Sequence, residues 1–377
     1  MNTAPEFAAY PVAPAPVYSR WLAWGVALLV LSGSAGVALG SFIEPRTAVV
    51  GGALAVLVWL LALLLRVLYV RFNRHNALCY AEAAQQAGEV WWKRHREKVA
   101  LIESVLLGAT CSTSQHGRRL FSPDHQPPAP AKTDEGQTLR LGQVFGKEVA
   151  ERERNLAILL ALQWQQQRTE DSAFEPLRCY WQGSMAGWQA FVEQMARCSA
   201  QVQLPEQPEP WQGMQSLDAV IDQLQGAPAT ARILCAGCES SPLQQESRLP
   251  AGEAAVLWVL GPEGGVGFSR GEWFAADTDS LPAVARRALQ QSELAAPTPI
   301  CVTFSQPEVP DLSASGWNTR QHVQDANFGA LESLQAMVVQ TLAAWYVEQH
   351  QVPCAWLAND PHHTLALGIV HPHDSNS

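Results

Sequence analysis

The residues of this chain best suited to nucleophilic, redox or metal chemistry are its 8 cysteines and 10 histidines. Cys235 and Cys238 have a Cys-x-x-Cys spacing, which suits a redox pair or half of a tetrahedral zinc site. No second Cys-x-x-Cys and no His-x-x-x-His completes such a ligand set, so thiols packed at a strand end account better for the pair. His362, His363, His371 and His373 gather near the C-terminus, but their spacing does not share one helical face and reads as loop and tail. The run from Gly261 to Gly267 lacks the Lys-Ser/Thr of a phosphate loop and opens no helix, so it reads as a turn. No His-Glu-x-x-His helix occurs. The expectation is therefore no catalytic residue, no metal and no cofactor.

What remains is recognition. The chain has 14 tryptophans, and Trp188, Trp211, Trp273 and Trp317 stand in polar, Gly- or Pro-containing stretches. Aromatic anchors of this kind dominate binding energy when a partner desolvates them, so these four are the partner-binding candidates, expected to be exposed. For any one of them, plugging the domain's own core is the competing reading.

The element that must position all of this is N-terminal. Residues 21–43 and 47–65 are apolar runs of about 23 and 19 residues, each near the roughly 20 residues of helix that cross a hydrocarbon core. Glu44, Pro45 and Arg46 form a polar break between them, and the pair reads as a transmembrane hairpin over 21–71. Arg66, Arg71, Arg74, Lys93, Arg94, Arg96 and Lys98 follow the second run, against Arg46 alone in the turn. Basic flanks mark the cytoplasmic side, which predicts two spans in a bacterial inner membrane with both termini cytoplasmic.

Residues 1–20, rich in Ala and Pro, read as a disordered tail. Residues 72–122 read as a juxtamembrane helical segment, helical over 76–107 with Trp91, Val99, Ile102 and Leu106 on its apolar face. A Pro-rich linker over 123–136 follows, then an α/β domain over 137–371 and a tail over 372–377. Within that domain helices at 147–168, 187–197, 216–224, 281–292 and 328–350 alternate with short apolar strands at 177–181, 231–234, 254–260, 300–304, 355–357 and 364–370. That alternation predicts an α/β layered fold around a buried sheet. A net charge of -10 argues against a nucleic-acid partner.

Arg232-Ile-Leu-Cys-Ala-Gly-Cys-Glu-Ser240 and Leu249-Pro-Ala-Gly-Glu-Ala-Ala-Val-Leu-Trp-Val-Leu260 resemble consecutive strands of β-ketoacyl synthases and other thiolase-fold proteins. Phe328-Gly-Ala-Leu-Glu-Ser-Leu-Gln335 resembles the Gly-Ala-x-Gly helix of the same fold, and the likeness covers about 177–370. It implies a nucleophilic cysteine at the head of the helix before the first of these strands, where the helix dipole activates a thiolate. Here that head is Gly213-Met214-Gln215-Ser216. It also implies one histidine after the strand at 300–304 and another before the Gly-Ala helix, where this chain has Ser305-Gln306-Pro307 and Asp325-Ala326-Asn327. His322 lies close to the second place.

The layout as a whole, a membrane segment followed by a tryptophan-rich domain without catalytic residues, resembles the type VI lipase adaptor family. The resemblance implies an adaptor or scaffold for effector loading in type VI secretion, with a secreted effector or spike protein and inner-membrane lipids as partners. The alternative is a membrane-bound acyltransferase or condensing enzyme of the thiolase superfamily, which would need Cys198 or Cys235 as a recruited nucleophile.

Overall fold

The computed structural model describes residues 5, 7–38, 45–133, 136–168, 173–199, 201–243, 248–306 and 312–373. The chain divides into two compact units, Thr3–Lys93 and Arg94–Ser377. The first is built on α1 (Tyr18–Ala38) and α2 (Pro45–His95). Among the described residues one helix, Val49–His95, is long and apolar enough to cross a membrane. This corrects the expected pair of short spans followed by a separate juxtamembrane helix. Between Leu65 and His95 there is no proline and a single glycine, Gly88, so nothing stops the helix where the apolar run ends. Its 51 residues reach about 77 Å at 1.5 Å per residue, well beyond a hydrocarbon core of about 30 Å. The expected turn residue Glu44 lies outside the described residues.

The described part of the N-terminal stretch is also not the free tail expected. The Ala13 N–H donates to Asn73 Oδ1 (2.6 Å), the Asn73 amide donates to the Pro11 carbonyl (3.2 Å) and Arg66 donates to the Pro14 carbonyl (3.1 Å). A proline-rich chain leaves its carbonyls without internal partners. Here α2 supplies donors for them, and Tyr10 packs on Tyr80.

In the second unit the elements run β1 (Lys98–Gly108), α3 (Ser114–Arg119), β2 (Ala131–Thr133), β3 (Gly136–Leu139), α4 (Val149–Gln167), β4 (Arg178–Gln182), α5 (Met185–Cys198), β5 (Glu209–Pro210), α6 (Met214–Leu224), β6 (Ile233–Ser240) and β7 (Ala251–Gly261). They continue with β8 (Val266–Ser269), β9 (Glu272–Phe274), α7 (Leu281–Gln291), β10 (Cys301–Thr303), β11 (His322–Val323), α8 (Asp325–Phe328), α9 (Gln335–His350), β12 (Cys354–Ala358) and β13 (Leu365–His371). The strand order is β11-β10-β12-β13-β8-β1-β7-β6-β4-β5.

This order hides a repeat. Numbering the main strands of each half from one to five, both halves run three, two, four, five, one, with the fifth antiparallel to both neighbours. The two first strands, β1 and β8, pair antiparallel and join the halves. The helix expected over 76–107 therefore ends at His95, and its last third is β1, paired on both sides. Its apolar residues at Val99, Ile102 and Leu106 are spaced for a helix face, and the pairing with β7 and β8 overrides that local pattern.

Burial follows the period of two. Along β7, Ala254, Val256, Trp258 and Leu260 face one core, shared with α6 and α9, while Ala255, Leu257 and Val259 face another, under α4 and α5. A third core sets α7 on the outer face of β12 and β13. Helices α6 and α9 thus lie inside, between the two halves of the sheet, which is why β6, β7 and α9 read as near-continuous apolar runs. The single helix expected over 328–350 is broken after α8 by Gly329, which takes a positive φ of 75°.

Candidate functional site

Strand β5 passes through Trp211, Gln212 and Gly213 into α6. Gly213 has φ 58° and ψ −129°, a conformation that L side chains rarely adopt, so the chain turns sharply from strand to helix there. A strained strand-to-helix elbow is how several enzyme families mount an exposed nucleophile. Here the elbow carries no side chain, and the space in front of it is filled. A Cβ on Gly213 would collide with Asp360 Oδ1 and with Pro361.

Asp360 belongs to the turn between β12 and β13 and is buried. Its Oδ1 accepts the Met214 N–H at 3.1 Å, so a carboxylate sits on the first amide of α6, where the helix dipole favours negative charge. Its Oδ2 accepts the His362 N–H (3.2 Å) and lies 2.7 Å from His363 Nδ1. The His363 ring stacks on Trp273 at 4.8 Å. The elbow is thus closed by the chain's own Asp360–His363 pair.

The places that the sequence resemblance assigns to two histidines are also closed. Asp325 Oδ2 accepts from both the Ser305 N–H (2.8 Å) and the Ser305 hydroxyl (2.9 Å), which ties the two vacated places to each other. Beside them the Asn327 amide donates to Gln324 Oε1 (3.0 Å), and Asn327 Oδ1 lies 2.7 Å from His125 Nε2. His322 is half-buried against Phe121, and burial lowers its pKa, which favours the neutral ring. Pro307 lies outside the described residues.

A third carboxylate organises α9. Glu239, at the end of β6, accepts the N–H groups of Glu332 (2.6 Å), Ser333 (3.0 Å) and Leu334 (2.8 Å), and the Ser333 hydroxyl (3.0 Å). Leu334 is the N-cap of α9 and the other two residues lead into it, so a buried anion fixes the entry of the chain into the helix.

Three of the four tryptophan candidates are core residues, correcting the expectation that they are exposed. Trp188 is fully buried beside Trp181 and Phe191, and its indole N–H reaches the Glu206 carbonyl (3.1 Å). Trp211 packs edge-on against Tyr180 and Trp258, and Trp317 lies in the core under α7. Each plugs a gap between layers, which polar sequence neighbours do not reveal. Trp273 alone of the four keeps part of its surface, and it lies at the elbow on His363.

The thiols fit no nucleophile. Cys235 and Cys238, three residues apart inside β6, point into different cores, so they form neither a pair nor half of a metal site. Burial pushes both thiols well up, and it raises Cys179 and Cys301 to about 12. Cys198 is half-buried on α5, with its thiol directed at the Met195 carbonyl. Among the described residues no group of three His, Cys, Asp or Glu side chains is placed to hold a metal ion.

No protein-family model matches the sequence, and no curated protein matches it. Solved structures do. The ishigamide ketosynthase/chain length factor superposes with a TM-score of 0.50 at 13% identity, covering 73% of this chain and 99% of that one. The fold is thiolase-like. The module 1 ketosynthase of the bacillaene synthase of Bacillus amyloliquefaciens FZB42 is also similar, with TM-score 0.47, 10% identity and coverage of 75% and 77%. So is the H285A form of OleA from Xanthomonas campestris, with TM-score 0.41, 12% identity and coverage of 73% and 98%. In thiolase-like terms Gly213 heads the inner helix of the first half, and α9 is its counterpart in the second.

Sequence reasoning missed Asp360 and the Glu239 cap. The signals were faint: Asn359-Asp360-Pro361 reads as a turn, and Glu239 as the polar end of a strand.

Proposed function

We propose that this chain is a membrane-anchored, non-catalytic thiolase-like protein whose work is to bind other proteins, as an adaptor or scaffold that loads an effector in type VI secretion. One observation carries the non-catalytic part: Gly213 stands at the elbow with the Asp360 carboxylate on the α6 amide in front of it. A nucleophile mounted there would need the room and the amide that Asp360 holds. The secretion role rests on the layout of the sequence. In this reading the protein is held in an inner membrane through the apolar part of α2, and it meets a secreted effector or spike protein through the surface around Trp273.

The second reading is a membrane-bound acyltransferase or condensing enzyme. It is favoured by the fold shared with a ketosynthase/chain length factor. It requires a nucleophile from outside the elbow. One experiment separates the two: the detergent-solubilised full chain is incubated with acyl-CoA and acyl-carrier substrates and analysed by intact mass, and proteins that co-purify with it are identified. The adaptor reading expects no acyl adduct and a secreted lipase or spike component in the eluate. A stoichiometric acyl adduct on any residue overturns it in favour of the enzyme.

A further inference from the structure

Helices α1 and α2 enclose a cleft of about 500 Å³ lined by Arg20, Trp21, Trp24, Leu28 and Trp59. Gly25 makes it possible. It is buried against the Trp59 ring, and a Cβ there would come within 2.7 Å of the ring carbon Cζ2. Along α1 the lining changes from a cation at Arg20, through two indoles, to Leu28, a gradient from charged to apolar over just more than two helical turns. Two of the lining residues carry donors with no acceptor among the described residues. Trp59 Nε1 is buried without a hydrogen-bond partner, and Arg20 is exposed and makes no ion pair with a described residue. Interfacial tryptophans alone would explain an aromatic belt. An unpaired indole N–H on a wall residue of a cleft that also has an exposed Arg20 in its lining calls for an acceptor with an apolar body.

We propose that this cleft holds one anionic glycerophospholipid. Its phosphate diester accepts from the Arg20 guanidinium, an oxygen of its headgroup or ester region accepts the Trp59 N–H, and an acyl chain runs along Trp21, Trp24 and Leu28. The proposal rests on the membrane-anchored part of the reading above. The gradient along α1 sets the lipid's orientation, and its negative charge matches the one cation of the lining.

The test uses the full chain in a non-ionic detergent, titrated in separate arms with phosphatidylglycerol, phosphatidylethanolamine and inorganic phosphate. Native mass spectrometry and the thermal midpoint are the readouts. Saturable retention of phosphatidylglycerol with a raised midpoint is expected, with much weaker retention of phosphatidylethanolamine and no effect of phosphate. Arg20→Gln and Trp59→Phe, the second keeping an aromatic ring, should each weaken phosphatidylglycerol binding by about tenfold, the loss expected for one charge-assisted hydrogen bond. Equal retention of both lipids by the parent and the variants, or saturation by phosphate alone, would overturn the lipid site. Extraction of the chain from membranes by alkaline carbonate would overturn the anchor as well, which tells that failure apart from a non-selective cleft.

Discussion

The carboxylate of Asp360 occupies the space that a side chain on Gly213 would need, and it accepts the Met214 N–H at 3.1 Å. Two costs therefore meet any residue placed at Gly213: the positive φ and the collision. Gly213→Ala should destabilise the protein by roughly 1–3 kcal/mol, the range for strained backbone at such a position. Combining it with Asp360→Gly relieves the collision, so in chemical denaturation the double variant should lose less than the sum of the single losses. Strict additivity would show that Asp360 does not fill the elbow.

Thiol accessibility gives a second check. Cys111, Cys179, Cys235, Cys238, Cys301 and Cys354 are buried with their thiols pushed up by desolvation, whereas Cys79 lies exposed on α2. A thiolate-directed reagent at neutral pH should label Cys79 promptly and leave these six untouched until denaturant is added. Rapid labelling of Cys235 in the native protein would revive the recruited-nucleophile reading.

Glu239 holds the start of α9 through three backbone N–H groups and one hydroxyl. Glu239→Gln keeps the shape and removes the charge. It should cost about 2 kcal/mol in a denaturation midpoint, the difference between charge-assisted and neutral acceptors at a buried helix start. An unchanged midpoint would make the cap dispensable.

A pH effect is expected at Asp218 on α6. Burial raises its pKa to about 6, against the opposing pull of Arg270 and His95 and with Asp222 adding to the rise; Glu97 and Arg94 complete the surrounding charges through Arg270 and Asp222. The native pKa lies above the unfolded value of about 3.9, so between about pH 4 and pH 6 the folded state holds more protons and stability falls as pH rises. Asp218→Asn should remove that fall, so the parent-minus-variant difference in unfolding free energy should decline across this window. A flat difference would place the titration elsewhere.

The domain boundary is open to the same kind of test. Strand β1 pairs with both β7 and β8 and joins the two halves, although it precedes the Pro-rich stretch read as a linker. A segment of residues 94–377 should melt cooperatively in solution, whereas one starting at 136 should be insoluble or melt without a cooperative transition. Cooperative folding of the shorter segment would show that β1 is peripheral.

Much of the second unit was legible. The strands at 254–260 and 364–370 and the helices at 187–197 and 281–292 match β7, β13, α5 and α7 within a few residues, because unbroken apolar runs and amphipathic periods are local patterns. The pattern over 98–107 failed because the spacing of Val99, Ile102 and Leu106 is helical, whereas in β1, whose register shifts between Leu101 and Glu103, Val99 and Leu106 face one core and Ile102 the other. The tryptophans failed for a related reason: Trp188 and Trp317 sit among polar residues in the chain and among apolar residues in space.

By itself the sequence determined the apolar N-terminal helix, the α/β alternation and the vacancy at the elbow, since Gly213 is a glycine whatever surrounds it. It also fixed which residue types were available to answer buried polar groups. Only the tertiary structure decided what fills the vacancies: Asp360 comes to Gly213, Asp325 to Ser305 and Glu239 to the head of α9. Each of these carboxylates meets backbone donors that are far away in the chain or across a turn. Such pairings are set by how two similar halves close around α6 and α9, since a buried N–H at a helix start must find an acceptor in space and leaves no mark in the neighbouring sequence.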